Sequence, residues 1–163
     1  MQRRFPMIDA KRRILLKGSL GAGAVGVAVG AGLLTPGSVL AAWPEAAFMA
    51  EDQSTALKDL LGSDSIADSD KVKIKAPDIA ENGAVVPVTV EGDVSSAKSI
   101  SIFAAGNSTP LIASFEMSET SVPFVSTRIK MAKTADVVAV VQTPDGLLGA
   151  AKPVKVTIGG CGG

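Results

Sequence analysis

Val86-Pro87-Val88-Thr89-Val90 decides the fold class. Three valines recur at every second position, and side chains alternate faces along a strand with that period, so all three share one face. Valine branches at Cβ and packs well on a pleated surface. The same period recurs on both sides of this stretch. Upstream, Val72 and Ile74 alternate with Lys71, Lys73 and Lys75. Downstream, Ile100, Ile102 and Ala104 share a face, and Leu111 to Phe115 and Phe124 to Met131 form short runs. Val137 to Val141 is apolar on both faces, which predicts a central strand. Val154, Val156 and Ile158 alternate with Lys155 and Thr157. Turn signals at Asn82-Gly83, Gly92-Asp93, Gly106-Asn107 and Asp145-Gly146 punctuate the runs. About seven short strands over residues 71–158 predict an immunoglobulin-like antiparallel β-sandwich, so the chain is mainly all-β. Pro87 and Pro153 are expected at edges, bulges or strand starts, because proline donates no ladder hydrogen bond.

One N-terminal helix is expected ahead of the sandwich, over residues 44–61. Pro44 suits a first turn, Glu45 complements the helix dipole, and Gly62 suits the stop. Met49, Ala50, Ala56, Leu57, Leu60 and Leu61 fall near one face at helical spacing. That face either packs on the chain's own core or meets a partner, and the spacing leaves both open. Residues 62–70 are polar and acidic and read as a loop or hinge, so 42–70 is a helix and loop preceding the sandwich.

Residues 1–41 have the layout of a cleavable export signal. Six basic residues stand against one acid there, an apolar Gly-rich run spans residues 18–34, and Val39-Leu40-Ala41 offers small residues for a signal peptidase. Six of the 17 residues in the apolar run are Gly, which makes it a poor membrane anchor. Lys11-Arg12-Arg13-Ile14-Leu15-Leu16-Lys17 resembles the twin-arginine export motif, with Arg12 and Arg13 as the pair. The residue before the pair is Lys11 where the motif usually has Ser or Thr, so the ordinary secretory route stays open. The expected destination is the periplasm, with no membrane association after cleavage. Twin-arginine export carries folded proteins, and a chain with almost no cofactor ligands folds before export most economically because a partner must be bound first.

Composition excludes several function classes. The 163 residues include one Cys, no His and no Tyr. Without His, the commonest general base and the usual zinc, copper and non-haem iron ligand are missing. One Cys builds neither a Cys-rich metal site nor an internal disulfide. No cofactor and no metal are expected. Cleavage after Ala41 would remove six of 16 basic and one of 16 acidic residues, leaving a net charge of −5 and no footprint for nucleic acid. No paired carboxylates and no Ser with a convincing base stand out, so no catalytic residue is assigned.

Gly159-Gly160-Cys161-Gly162-Gly163 is the exception. Four Gly flank the only Cys, directly after the last expected strand. Gly-rich chain is flexible and narrow. An unpaired thiol in an oxidising compartment is a liability unless it has a use. From Ile158, the Cys161 Cα reaches roughly 10 Å when extended. No basic residue lies within five positions of Cys161, so the chain does little to activate its own thiol. The reading is a carrier arm over 159–163 that delivers Cys161 to partner enzymes, and not an enzyme.

Val156-Thr157-Ile158-Gly159-Gly160-Cys161-Gly162-Gly163 resembles the C-terminal signature of the SoxY family, the covalent carrier subunits of the bacterial Sox thiosulfate-oxidising system. The resemblance takes in the twin-arginine-like signal, the helix and the sandwich. It implies a heterodimer with a smaller SoxZ-like subunit. It also implies transient docking to three enzymes. A SoxXA-like cytochrome couples thiosulfate to Cys161, a SoxB-like hydrolase releases sulfate and leaves a persulfide, and in some organisms a SoxCD-like sulfane dehydrogenase oxidises the remaining sulfur. By position, Cys161 is the attachment point and Gly159, Gly160, Gly162 and Gly163 are the arm. Two other readings stand beside this one. An exported sandwich used only for interaction predicts a dispensable Cys161. A thiocarboxylate-type sulfur carrier, suggested by Gly162-Gly163, belongs in the cytoplasm and has a different fold.

Overall fold

The computed structural model describes residues 44–118 and 120–158. Two helices precede nine strands among them: α1 Glu45–Met49, α2 Gln53–Leu61, β1 Ile66–Asp68, β2 Val72–Lys75, β3 Ile79–Ala80, β4 Val86–Gly92, β5 Ser99–Ala104, β6 Leu111–Glu116, β7 Phe124–Ile129, β8 Ala135–Thr143 and β9 Gly146–Val156. One sheet runs β1-β9-β8-β5-β6, with β3 also paired to β9, and the other runs β2-β4-β7. The seven expected strands are β2 and β4 to β9. The first, second and fifth of them form the smaller sheet and the other four lie together in the larger, as in an immunoglobulin-like sandwich.

The alternation read from Val86-Pro87-Val88-Thr89-Val90 holds. Val86, Val88 and Val90 are buried between the sheets with Ile100, Ile102, Val137, Ala139, Val141 and Val154. Burying each of these valines and isoleucines contributes about 1.5–3 kcal/mol before entropy is counted. β8 is apolar on both faces because the larger sheet is covered on both sides. Its Val140 packs in a second cluster with Phe103, Leu111 and Leu147 from the sheet and Ala47, Ala50, Ala56 and Leu57 from the helices. The helices therefore pack on the chain's own core, which settles the choice that spacing left open.

The single helix expected over 44–61 is two. Ala50 has extended backbone (φ −64°, ψ 134°) and closes α1. Asp52, at φ −125° and ψ 151°, accepts from the Thr55 N–H at 2.8 Å and starts α2 as its N-cap. The break turns Met49 outward, against its expected place on the packed face. Gly62 ends α2 at φ 77°, a conformation that costs glycine little, and its N–H donates to Lys58 O at 2.9 Å.

The acidic stretch 62–70 is not all loop. Ile66–Asp68 forms β1, which pairs in parallel with Leu147–Gly149 of β9, and β3 pairs in parallel with Lys155 and Val156 further along the same edge. These pieces are too short to show a period, and β9 recruits them because its outer N–H and C=O groups need partners. Gly149 admits the contact, since a Cβ there would overlap Ile66 Cγ2. Pro153 lies between the two pairings, opposite Asp136 of β8 and with no strand on its other side. Pro87 is the second residue of β4, beyond the end of the β2 pairing, which begins at Thr89. Both prolines thus stand where a missing N–H breaks no ladder.

β5 is buried along its whole length, including Ser99 and Ser101. Their hydroxyls are satisfied: Ser99 Oγ donates to Gln142 Oε1 at 3.2 Å, and Ser101 Oγ lies 3.0 Å from Ser114 Oγ.

Candidate functional site

Cys161, the four arm glycines, Arg12 and Arg13 lie outside the described residues, as does the whole of 1–41. The described chain runs to Ile158, so the site is built from the root of the arm.

That root is tied to the sandwich by groups far apart in sequence. β9 ends at Val156, whose N–H donates to Thr134 Oγ1 at 2.9 Å. The Thr134 hydroxyl donates back to Val156 O at 3.3 Å. Thr157 N–H donates to Ala80 O at 3.0 Å, and Thr157 Oγ1 donates to Glu81 O at 3.0 Å. Gly83 N–H then donates to Ile158 O at 2.8 Å, while Gly83 O accepts from Met131 N–H at 2.7 Å. The Asn82-Gly83 turn is therefore a clamp on the last residue before Gly159. Asn82 shapes that turn by accepting from Ala84 N–H at 2.8 Å. Behind it, Met131 is fully buried. The turn itself was legible from Asn82-Gly83, but no local signal tied it to Ile158.

The exposed surface round the root mixes charged and apolar side chains, with Glu81 and Lys155 beside Ile79, Val85 and Ile158. Six large hydrophobic side chains are exposed among the described residues: Met49, Ile79, Val85, Val122, Phe124 and Ile158. Ile79, Val85 and Ile158 belong to the root. Ile79 stands opposite Lys155 in the β3–β9 pairing, and Val85 lies two residues past the Gly83 that bonds Ile158. Nearby, Lys152 Nζ donates to Asp78 Oδ1 at 2.8 Å, and this bond holds the Asp78 carboxyl below the ordinary carboxylate range.

The opposite end of the sandwich carries an open cleft of about 960 Å³. Lys71, Asp93, Ser96, Lys98, Thr143 and Asp145 are among its lining residues, a mixture of both charges. It sits beside the first residues of β9, and 11 residues of strand span roughly 33 Å. Among the described residues no group of His, Cys, Asp and Glu could hold a metal, and no buried side-chain polar atom lacks a partner. No described helix is long and apolar enough to cross a membrane.

Comparison with known proteins gives one consistent result. The family model described as sulfur oxidation protein SoxY matches residues 57–161, so its last matched position is Cys161. The sulfur carrier protein SoxY from Chlorobium limicola f thiosulfatophilum is a similar solved structure, with 48% identity and a TM-score of 0.58 over 63% of this chain and 94% of that one. An engineered protein also matches at TM-score 0.37 and 13% identity over 53% of this chain and 20% of its own, too distant to bear on function. No curated protein matches. A sandwich of this order, with a match that spans α2 to Cys161, leaves no room for the thiocarboxylate-carrier reading, and the chain belongs to the SoxY family of sulfur oxidation proteins.

Proposed function

We propose that this protein is a covalent sulfur carrier, with Cys161 as the attachment point and Gly159, Gly160, Gly162 and Gly163 as the arm that presents it. The observation that carries this reading is the run of the family match through the sandwich to Cys161, three residues beyond the clamped Ile158. In the first step the Cys161 thiol and thiosulfate form an S–S bond, giving a cysteine S-thiosulfonate, one proton and two electrons. The electrons pass to a SoxXA-like cytochrome. In the second step water attacks the terminal sulfone, the bond between the two outer sulfurs breaks, and hydrogen sulfate leaves a persulfide on Cys161. A SoxB-like hydrolase performs this step, and a SoxCD-like dehydrogenase oxidises the persulfide where that branch exists. The carrier supplies reach and a thiol, and the enzymes supply activation. A smaller SoxZ-like subunit accompanies it, and the precursor is exported to the periplasm through Arg12 and Arg13.

The test is the intact mass of the protein purified from its native host, together with a Cys161→Ser variant. A mass increment at Cys161 that matches a persulfide or thiosulfonate, and loss of thiosulfate-dependent electron transfer in Cys161→Ser, are expected. Full turnover by Cys161→Ser would remove the carrier reading and favour the interaction module, since serine holds neither adduct.

A further inference from the structure

We infer that the outer face of the β2-β4-β7 sheet docks on an anionic phospholipid bilayer through Lys73, Lys75, Arg128 and Lys130, with Phe124 at one end of the contact. This face has no part in the carrier reading. Three observations point to a lipid surface.

The first is register. Val72, Val86, Val88, Val90, Val125 and Ile129 point into the core, so their neighbours along each strand point away from it. Lys73 stands opposite Glu91, and Glu91 opposite Phe124. Lys75 stands opposite Thr89, Thr89 opposite Ser126, and Pro87 opposite Arg128. Lys75 Nζ donates to Glu91 Oε1 at 2.6 Å, and Thr89 Oγ1 lies 3.0 Å from Ser126 Oγ, so these side chains share one surface. Lys130 continues the alternation between buried Ile129 and Met131. The second is charge. Lys73, Lys75, Arg128 and Lys130 stand against the single carboxylate of Glu91, a net charge of +3. The helical segment on the far side of the larger sheet carries exposed Glu45, Glu51, Asp52 and Asp59 against Lys58. Packed sheets lie about 10 Å apart, and the helices lie a further layer behind. The acidic layer is therefore more than a Debye length, about 8–10 Å, from the basic face and screened from whatever that face meets. A negative surface both attracts and orients such a molecule. The third is composition. Three of the four cations are Lys, which is depleted at protein–protein interfaces, whereas a flexible ammonium follows mobile phosphate headgroups. Phe124, 50% exposed, adds an apolar ring of the kind that enters the headgroup boundary. Contact of this type is peripheral and reversible and needs no anchor, and it runs against the expectation of no membrane association after cleavage.

The experiment sediments the mature protein, with whatever subunit co-purifies, on large unilamellar vesicles. One set holds equal parts of phosphatidylglycerol and phosphatidylcholine, the other phosphatidylcholine alone. Binding to the anionic set at about 0.05 M salt, its loss at about 0.5 M, and no binding to phosphatidylcholine are expected. Lys73→Gln, Arg128→Gln and Lys130→Gln should each weaken the partition about fivefold, and Lys73→Gln with Arg128→Gln about twenty-five-fold. Phe124→Ser should weaken it about threefold. Lys58→Gln makes the same charge change on the helical face, and it should bind as the parent does, as should Cys161→Ser. No binding of the parent to the anionic vesicles overturns the proposal. An equal loss in Lys58→Gln overturns it by removing the role of this face. Loss of the co-purifying subunit in Lys73→Gln with Arg128→Gln overturns it by giving the face to that subunit. Binding of poly-L-glutamate through Lys73 and Arg128, without binding of vesicles, overturns it in favour of an acidic protein.

Discussion

The two ends of the sandwich are built for different things. At the arm end, Thr134, Ala80, Glu81 and Gly83 hold the last three residues of the described chain, Val156 to Ile158. At the other end, the β8–β9 turn, the chain between β4 and β5 and the start of β1 leave an open polar cleft. A cleft is the usual place to look for function. Here it holds both charges in near balance, and no metal-binding group of His, Cys, Asp and Glu is found there or elsewhere among the described residues. At the arm end the backbone is tied down by bonds between residues some 75 positions apart. A carrier needs a fixed root for the segment that bears its cargo, and the arm end supplies one.

The largest effect would separate the ends outright. Lys71→Ala with Lys98→Ala, in the cleft, should leave thiosulfate-dependent electron transfer within about twofold of the parent, whereas Cys161→Ser should take it to background. Cleft variants that lost as much turnover as Cys161→Ser would break the division. Next in size is Met131→Ala, which empties a fully buried site directly behind the clamp. It should cost about 2–5 kcal/mol in denaturant unfolding. If hydrogen exchange speeds up at Gly83 and Thr157 more than at the Gly92 end, the loosening is confined to the root.

Thr157→Val tests the clamp more finely. The hydroxyl donates to Glu81 O at 3.0 Å, and its removal should cost about 1 kcal/mol, read as faster exchange of the Thr157 amide. Unchanged exchange would mean that the backbone bonds alone hold the root. The smallest effects belong to two of the surface ion pairs, one at each end: Lys152 with Asp78 at 2.8 Å and Lys58 with Asp64 at 2.9 Å. Both carboxyls are held below their ordinary value of 3.8, chiefly by the lysine hydrogen bonds. The folded form therefore binds these protons less readily than the unfolded form. The stabilisation is present above about pH 4 and fades as pH falls through the lowered values. Asp78→Asn and Asp64→Asn should each shift the melting temperature at pH 7 by about 1 °C or less. A larger shift at one end would show that its pair is coupled to the structure beneath it.

Much of this molecule was written in short stretches of chain. Val86, Val88 and Val90 announce a strand with one buried face, and Val137 to Val141 announces a strand buried on two, because the strand period is visible within five residues. Asn82-Gly83 and Asp145-Gly146 mark turns, Gly62 marks a helix end, and Pro87 and Pro153 mark gaps in pairing, each through its own backbone chemistry. The terminal Gly-Gly-Cys-Gly-Gly is a local composition signal too, and the family match runs as far as its Cys161. Tertiary structure alone decided the rest. Asp52 becomes an N-cap and splits the helix because α1 and α2 both have to lay alanines and Leu57 on the larger sheet. Ile66–Asp68 and Ile79–Ala80 become strands because β9 offers an edge, not because they show a period of their own. The bond from Gly83 to Ile158 joins residues that share no local pattern. Periodicity, caps and turns are properties of neighbours in sequence, whereas an edge strand or a clamp depends on which unsatisfied backbone group lies across the fold.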